Sequence, residues 1–287
     1  MTAGKLLRWR LLGAVALALL PLVGRAQYRG DRRGYMDDLN TGDYQWTVNP
    51  VFAEDVFTFA RLEHQSGGGG GGGFAGYFRR MGWREDYPRA DIILSFRLHE
   101  ITSLNVRPGP NTIEFTKEEL ASHPFVYFSG VEGMAFRDEE VTILRNYLLS
   151  GGFMMVDNFW GDAAWQTFAS QLRRVFPDRQ PVELGLDHPI FHSVYDFKKK
   201  PQIPTAGQYE RMGIFYDYGR DYAIMGHDPH YFAIFDDKGR MMMVICHNNH
   251  FGDGWEHEGE DPDYFHVISE GMAYPMFINI ATYAMTH

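Results

Sequence analysis

The residues whose types and spacing could do chemistry fall in three short polar runs, each following an apolar segment. Ser129-Gly130-Val131-Glu132-Gly133 is the first, and Asp157-Asn158-Phe159-Trp160-Gly161-Asp162 is the second. The third is His247-Asn248-Asn249-His250-Phe251-Gly252-Asp253-Gly254-Trp255-Glu256. A carboxylate such as Asp157 can serve as a base or a nucleophile. Asn158, His247, Asp253 and Glu256 would add polar contacts to a ligand, and Trp160 and Trp255 would offer it apolar platforms. Taken singly, these residues read as caps and turns: Asp162 suits a helix N-cap, and Gly252 and Gly254 suit turns. Taken together, the three runs are expected to open onto one cleft, with Asp157 near Asp253.

Histidines crowd the same region. His227, His230, His247, His250 and His257 are interspersed with Asp228, Asp253 and Glu256. Catalytic zinc needs three nitrogen or oxygen ligands and an open position. His247-Asn248-Asn249-His250 is not the helical His-Glu-x-x-His pattern, and successive side chains leaving a strand point in opposite directions. Neither a metal nor a cofactor is therefore expected. A hydrolase using Asp157, with an ion held by His247 and Asp253, is the alternative. Cys246 neighbours His247, but adjacent strand residues face opposite ways, so a buried, inert thiol is expected. His188, in His188-Pro189-Ile190-Phe191-His192, is expected to bond a backbone carbonyl.

The elements that must position these residues follow from periodicity. Val56–Leu62 is β-branched and aromatic and reads as a first strand. Tyr87–Asp91 opens a helical pattern that continues through Ile93, Phe96 and Ile101. Apolar runs at 123–130 and 153–156 read as buried strands, and the helix between them begins at Asp138 and ends at Gly151-Gly152. A further helix is expected from about Asp162 to Phe176. Tyr231–Phe235 and Arg240–Cys246 flank an Asp-Asp-Lys-Gly turn and read as an antiparallel hairpin. A closing helix spans about Ser269 to Met285, interrupted by Pro275. Strands alternating with helices imply parallel pairing in a layered α/β sheet, and ligands bind such sheets beyond the carboxyl ends of their strands.

Composition sets the compartment and excludes partners. Lys5, Arg8 and Arg10 precede an apolar stretch, Leu11–Val23, and Gly24 and Ala26 suit a cleavage site before Gln27. Residues 1–26 are thus expected to be a signal peptide, and the protein to be periplasmic or otherwise exported. Cleavage removes four basic residues and takes the net charge from −10 to −14. Such a surface repels nucleic acid and anionic lipid, so no nucleic-acid partner is expected and no membrane association beyond the signal segment. Residues 27–50 read as an arm and 51–287 as one domain. Within it lies a glycine-rich loop at 66–76, which lacks the Lys-Ser/Thr of a phosphate cradle.

Several of these motifs together resemble the bacterial domain-of-unknown-function family 4159. They are Asn49-Pro50-Val51-Phe52 with Phe57–Arg61, Tyr87–Asp91, Gly151–Gly161, His188–Phe191, Gly252–Glu256 and Tyr283–His287. The resemblance covers about residues 49–287. It implies a flavodoxin-like three-layer sandwich, similar to class I glutamine amidotransferase-like domains. In those domains the nucleophilic cysteine occupies a sharp turn after a strand, which here is Asp157-Asn158-Phe159, without cysteine. The expectation is therefore a three-layer α/β domain with a mostly parallel sheet and a C-terminal antiparallel hairpin. It binds a small polar ligand, carbohydrate among the candidates, without amidotransferase activity. A structural module contacting an envelope protein is the other alternative.

Overall fold

Side-chain alternation along two neighbouring strands sets the two faces of the sheet. In β3 (Phe125–Ser129) and β4 (Phe153–Asp157) every residue is buried, as befits parallel strands covered on both sides. Val126, Phe128, Met154 and Val156 point into one apolar layer, and Tyr127, Met155 and Asp157 point to the other face. The computed structural model describes residues 44–52, 55–64, 82–210 and 228–287. The expected signal segment, most of the arm, the glycine-rich loop and His227 lie outside the described residues. All described residues belong to one compact unit, Asn40–His287.

Seven described strands form one sheet in the order β2-β1-β3-β4-β7-β6-β5. The additional strands are β1 (Ala60–Leu62), β2 (Thr112–Ile113), β5 (Val182–Glu183), β6 (His230–Phe235) and β7 (Met241–His247). Pairing is parallel from β2 to β7 and antiparallel from β7 through β6 to β5. The chain is thus mixed α/β with a mostly parallel sheet.

Helices α1 (Arg89–Ile101), α2 (Lys117–Ala121), α3 (Asp138–Leu149) and α4 (Gly161–Val175) connect the strands. Leu120, Leu144, Leu148, Phe168 and Leu172 from α2, α3 and α4 fill the layer on one face. On the other face α1 packs against α5 (Phe251–Glu256) and α6 (Tyr274–Thr286). There Phe59 and Tyr127 meet Trp255, and Trp255 meets Phe277. Three carboxylates in the first turn of α3, one accepting from the Arg137 N–H at 2.7 Å, suit the helix dipole. Gly151, with φ +115°, lets the chain leave α3 and enter β4.

Several expectations are corrected. The first strand is shorter, because Phe57 pairs only as a single bridge with Val106 and regular pairing begins at Ala60. The expected antiparallel hairpin is present, and its β7, with all seven residues buried, pairs with β4 inside the sheet. Asp162 lies inside the first turn of α4, and Trp160 takes the cap position without a side-chain bond. The third polar run is not a loop, since Phe251–Glu256 is helical. The closing helix begins earlier, as a π-helical stretch, Phe265–Ala273, that runs on into α6, and Pro275 sits where the two join. Trp46, at the end of the expected arm, donates to Val106 O at 2.8 Å and stacks on His99. Cys246 is wholly buried in β7, and burial pushes its thiol well above the ordinary range. No helix of the described residues is long and apolar enough to cross a membrane.

Candidate functional site

A row of polar side chains crosses the α1 face of the sheet. Arg61 of β1 is fully buried, and its Nε lies 3.0 Å from each carboxylate oxygen of Asp91, in the first turn of α1. Its Nη1 donates to Trp83 O at 3.1 Å and Glu85 O at 3.2 Å, which fixes the turn between residues 82 and 86. The guanidinium stands 4.8 Å above the ring of Tyr127, its register partner in β3. The Tyr127 hydroxyl in turn donates to Asp157 Oδ2 at 2.8 Å, and the Phe251 N–H donates to the same oxygen at 2.8 Å. Asp157 Oδ1 is buried without a hydrogen bond of normal geometry.

Around the end of this row the chain gathers two imidazoles, His250 and His257, and several acids. His250 Nε2 lies 2.8 Å from Asp86 Oδ2, and His250 Nδ1 lies 3.6 Å from Asp253 Oδ1. Asn158 Nδ2 donates to Glu85 Oε2 at 2.8 Å. Asp86, Asn158 and Asn248 have φ of +65°, +63° and +59°, a left-handed conformation costing about 1 kcal/mol each for residues with a side chain. All three lie in the loops that form this cluster. Gly252 leaves room for it, because a Cβ there would stand 1.9 Å from Asp86 Oδ2.

Burial and mutual repulsion set the protonation of the cluster. Burial pushes Glu85 up to about 8 against the pull of His250, with Asp86 and Asp253 adding to the rise. Burial also works against Asp86, yet His250, by charge and hydrogen bond, and then Arg61 hold it below the usual carboxylate range. His250 is itself held protonated well above the usual imidazole range: burial opposes its charge, but Asp86 and Asp253 outweigh it. Glu256 is raised by burial, then by Asp86 and Asp253. Asp157 is pushed up to about 6 by burial, in spite of His250 and its two donors.

The sequence-selected residues thus divide. Asp253 Oδ1 lies 3.6 Å from His250 Nδ1, Asp157 and Glu256 lie within electrostatic reach of that imidazole, and Asn158 bonds Glu85. Trp255 is fully buried among Phe59, Tyr127, Phe251 and Phe277 and presents no platform to a ligand. Trp160 is half-buried, and its backbone N–H donates to Glu132, linking the first and second runs. His247 bonds Gly161 O at 3.1 Å and lies against Phe159 and Trp165, whereas Asp253 accepts from the Ala206 N–H at 2.8 Å. The two therefore do not form the ion-holding pair considered above. Asp157 is enclosed on all sides, so its carboxylate serves as an internal acceptor rather than an exposed base. His188 Nδ1 accepts from the Ile190 N–H at 3.2 Å, so it bonds a backbone amide and not a carbonyl. Gly254 is a packing glycine, since a Cβ there would stand 2.7 Å from Ala273 Cβ.

Glu85 and Asp86 escaped the sequence reading. The one available signal was an adjacent acid pair just before a proline that opens a helix, and nothing local marks that pair as buried.

An open cleft of about 260 Å³ lies on the same rim. Glu63 and His64 follow β1, Glu114 and Thr116 follow β2, and Arg137 and Glu140 stand at the start of α3. Trp83 and Phe115 add apolar edges, and His64 Nε2 lies 2.8 Å from Ser129 O. The segment from Gly82 to Asp86 separates this cleft from the cluster around His250.

A family model described as Domain of unknown function (DUF4159) matches residues 58–285. No curated protein matches the chain.

Proposed function

We propose a function for a chain that belongs to the DUF4159 family: an exported domain that binds a small polar ligand in the cleft beyond β1 and β2. The observation that carries this reading is the cleft itself. It lies beyond the carboxyl ends of parallel strands, where such sheets bind ligands, and its volume suits a molecule the size of one sugar ring. Its charge selects the ligand class. Glu63, Glu114 and Glu140 line it, and Arg137 is already paired with Glu140 at 2.8 Å. Carboxylates accept hydrogen bonds from hydroxyl or ammonium groups and repel anions. The ligand is therefore a neutral or amino-bearing polyol, with carbohydrate as the leading class. Export is supported by the basic, apolar and small-residue order of residues 1–26.

Kinship with amidotransferase-like domains is part of the same proposal. It is supported by the left-handed Asn158 in the strand-to-helix turn after β4, the place where those domains carry their nucleophile. Thiol chemistry is not proposed, because Cys246 is buried within β7 and that turn carries Asp157, Asn158 and Phe159.

Calorimetric titration of the mature chain with neutral monosaccharides and amino sugars tests the reading, with phosphate and sulfate as anionic comparators. At least one sugar binds, and Glu63→Gln or Glu114→Gln weakens it tenfold or more. Binding of anions alone, of nothing, or of sugars unaffected by both variants overturns the proposal.

A further inference from the structure

We infer that Glu85, Asp86 and His250 form a binding site for one divalent transition-metal cation, with Asp253 orienting the imidazole. One ligand atom from each of the three residues lies within 4.8 Å of the others. Metal–ligand distances of about 2.0–2.2 Å in a tetrahedral site place ligand atoms roughly 3.3 Å apart. The His250 Nε2 to Asp86 Oδ2 separation of 2.8 Å need widen by only about half an ångström to reach that spacing. Glu85 then closes from the partly exposed side.

The surroundings supply what such a centre requires. A metal-bound imidazole usually gives its second ring N–H to a carboxylate, which sets tautomer and orientation. His250 is 2% exposed, its Nδ1 has no hydrogen bond, and Asp253 Oδ1 waits 3.6 Å away. Asn158 holds Glu85 in the same supporting way through Nδ2 at 2.8 Å. One nitrogen and two carboxylates without a thiolate suit Zn²⁺ or Mn²⁺, whereas Ca²⁺ would demand six to eight oxygens. None of the three ligands lines the cleft assigned above to a polyol, so this inference stands or falls separately.

The test uses protein purified without a histidine tag, stripped with a chelator and titrated with ZnCl₂, MnCl₂, CaCl₂ and MgCl₂ by calorimetry. One equivalent of Zn²⁺ or Mn²⁺ binds, at least tenfold tighter than Ca²⁺ or Mg²⁺. Glu85→Gln weakens that binding tenfold or more while the melting temperature of the stripped protein stays within a few degrees. Exposed Glu118→Gln on α2 leaves the affinity unchanged. Substoichiometric binding, equal affinity for Ca²⁺, or a Glu85→Gln protein that binds as wild type overturns the inference. Sugars are absent throughout, so a failed cleft and a failed metal site give separate results.

Discussion

Asp86 occupies the space that a side chain on Gly252 would fill. A Cβ at Gly252 would lie 1.9 Å from Asp86 Oδ2, 2.8 Å from Cγ and 3.3 Å from Cβ. The turn at residues 82–86 and helix α5 can meet only because one of them carries no side chain at the contact. Gly252→Ala forces the carboxylate away and breaks its bond to His250. Loss of a buried, charge-assisted hydrogen bond costs about 1–3 kcal/mol. The melting temperature is expected to fall by about 2–12 °C, at about 2–4 °C per kcal/mol for a domain of this size. A circular-dichroism melt at pH 7 reads the difference directly.

Asp157 gives the fold a pH dependence whose sign is fixed. Burial raises its folded pKa to about 6 from an ordinary 3.8. The folded state therefore holds the proton more tightly, and stability contributed below about pH 4 is lost as pH rises to 6. A two-unit shift corresponds to up to about 3 kcal/mol, complete above pH 6. Asn at this position still accepts from Tyr127 and Phe251 but carries no charge. Asp157→Asn is expected to be more stable than wild type by about 1–3 kcal/mol at pH 7, with the gap closing at pH 4. Urea titrations at several pH values check this, and a gap constant with pH would remove Asp157 as its source.

Arg61 and Asp91 form a buried pair, and such pairs are asymmetric in their response to mutation. Arg61→Leu strands Asp91 in the core and also releases Trp83 O and Glu85 O. A loss of about 3–5 kcal/mol is expected. The double variant Arg61→Leu/Asp91→Leu recovers most of it, since neither charge remains unpaired. Chemical unfolding of the three proteins completes a double-mutant cycle. Additive losses would show that the pair is not the unit.

Asn158 combines backbone strain with a hydrogen bond to Glu85, and two substitutions separate them. Asn158→Ala loses the bond and keeps a Cβ at φ +63°, whereas Asn158→Gly loses the bond and the strain together. The glycine variant is expected to be about 1 kcal/mol more stable than the alanine variant. Equal melting temperatures for the two would mean that the turn relaxes when substituted.

How far the fold was legible depends on whether its cause is local. β3, β4, α3 and α4 announce themselves through apolar runs, acidic first turns and terminal glycines, all of which act within a few residues. The partnership of β7 with β4 is set by sheet packing between distant segments, so only the strands themselves were visible. Helix α5 has no local signature, because Gly252 and Gly254 are poor helix formers. Their reason for being there is the approach of Asp86 and Ala273, which no local pattern records. Trp255 illustrates the same gap: an aromatic residue in a polar run looks like a ligand platform until its neighbours arrive from Phe59 and Phe277. Glu85 and Asp86 gain their chemistry from His250, 164 positions away from Asp86.

The single thiol, sealed into β7 between β4 and β6, has a practical corollary. A reagent that attacks thiols can reach Cys246 only when the middle of the sheet comes apart, so its reaction rate is a clock for that opening. The chain carries its own label for the event that matters most to its survival. No engineered probe is needed to follow it.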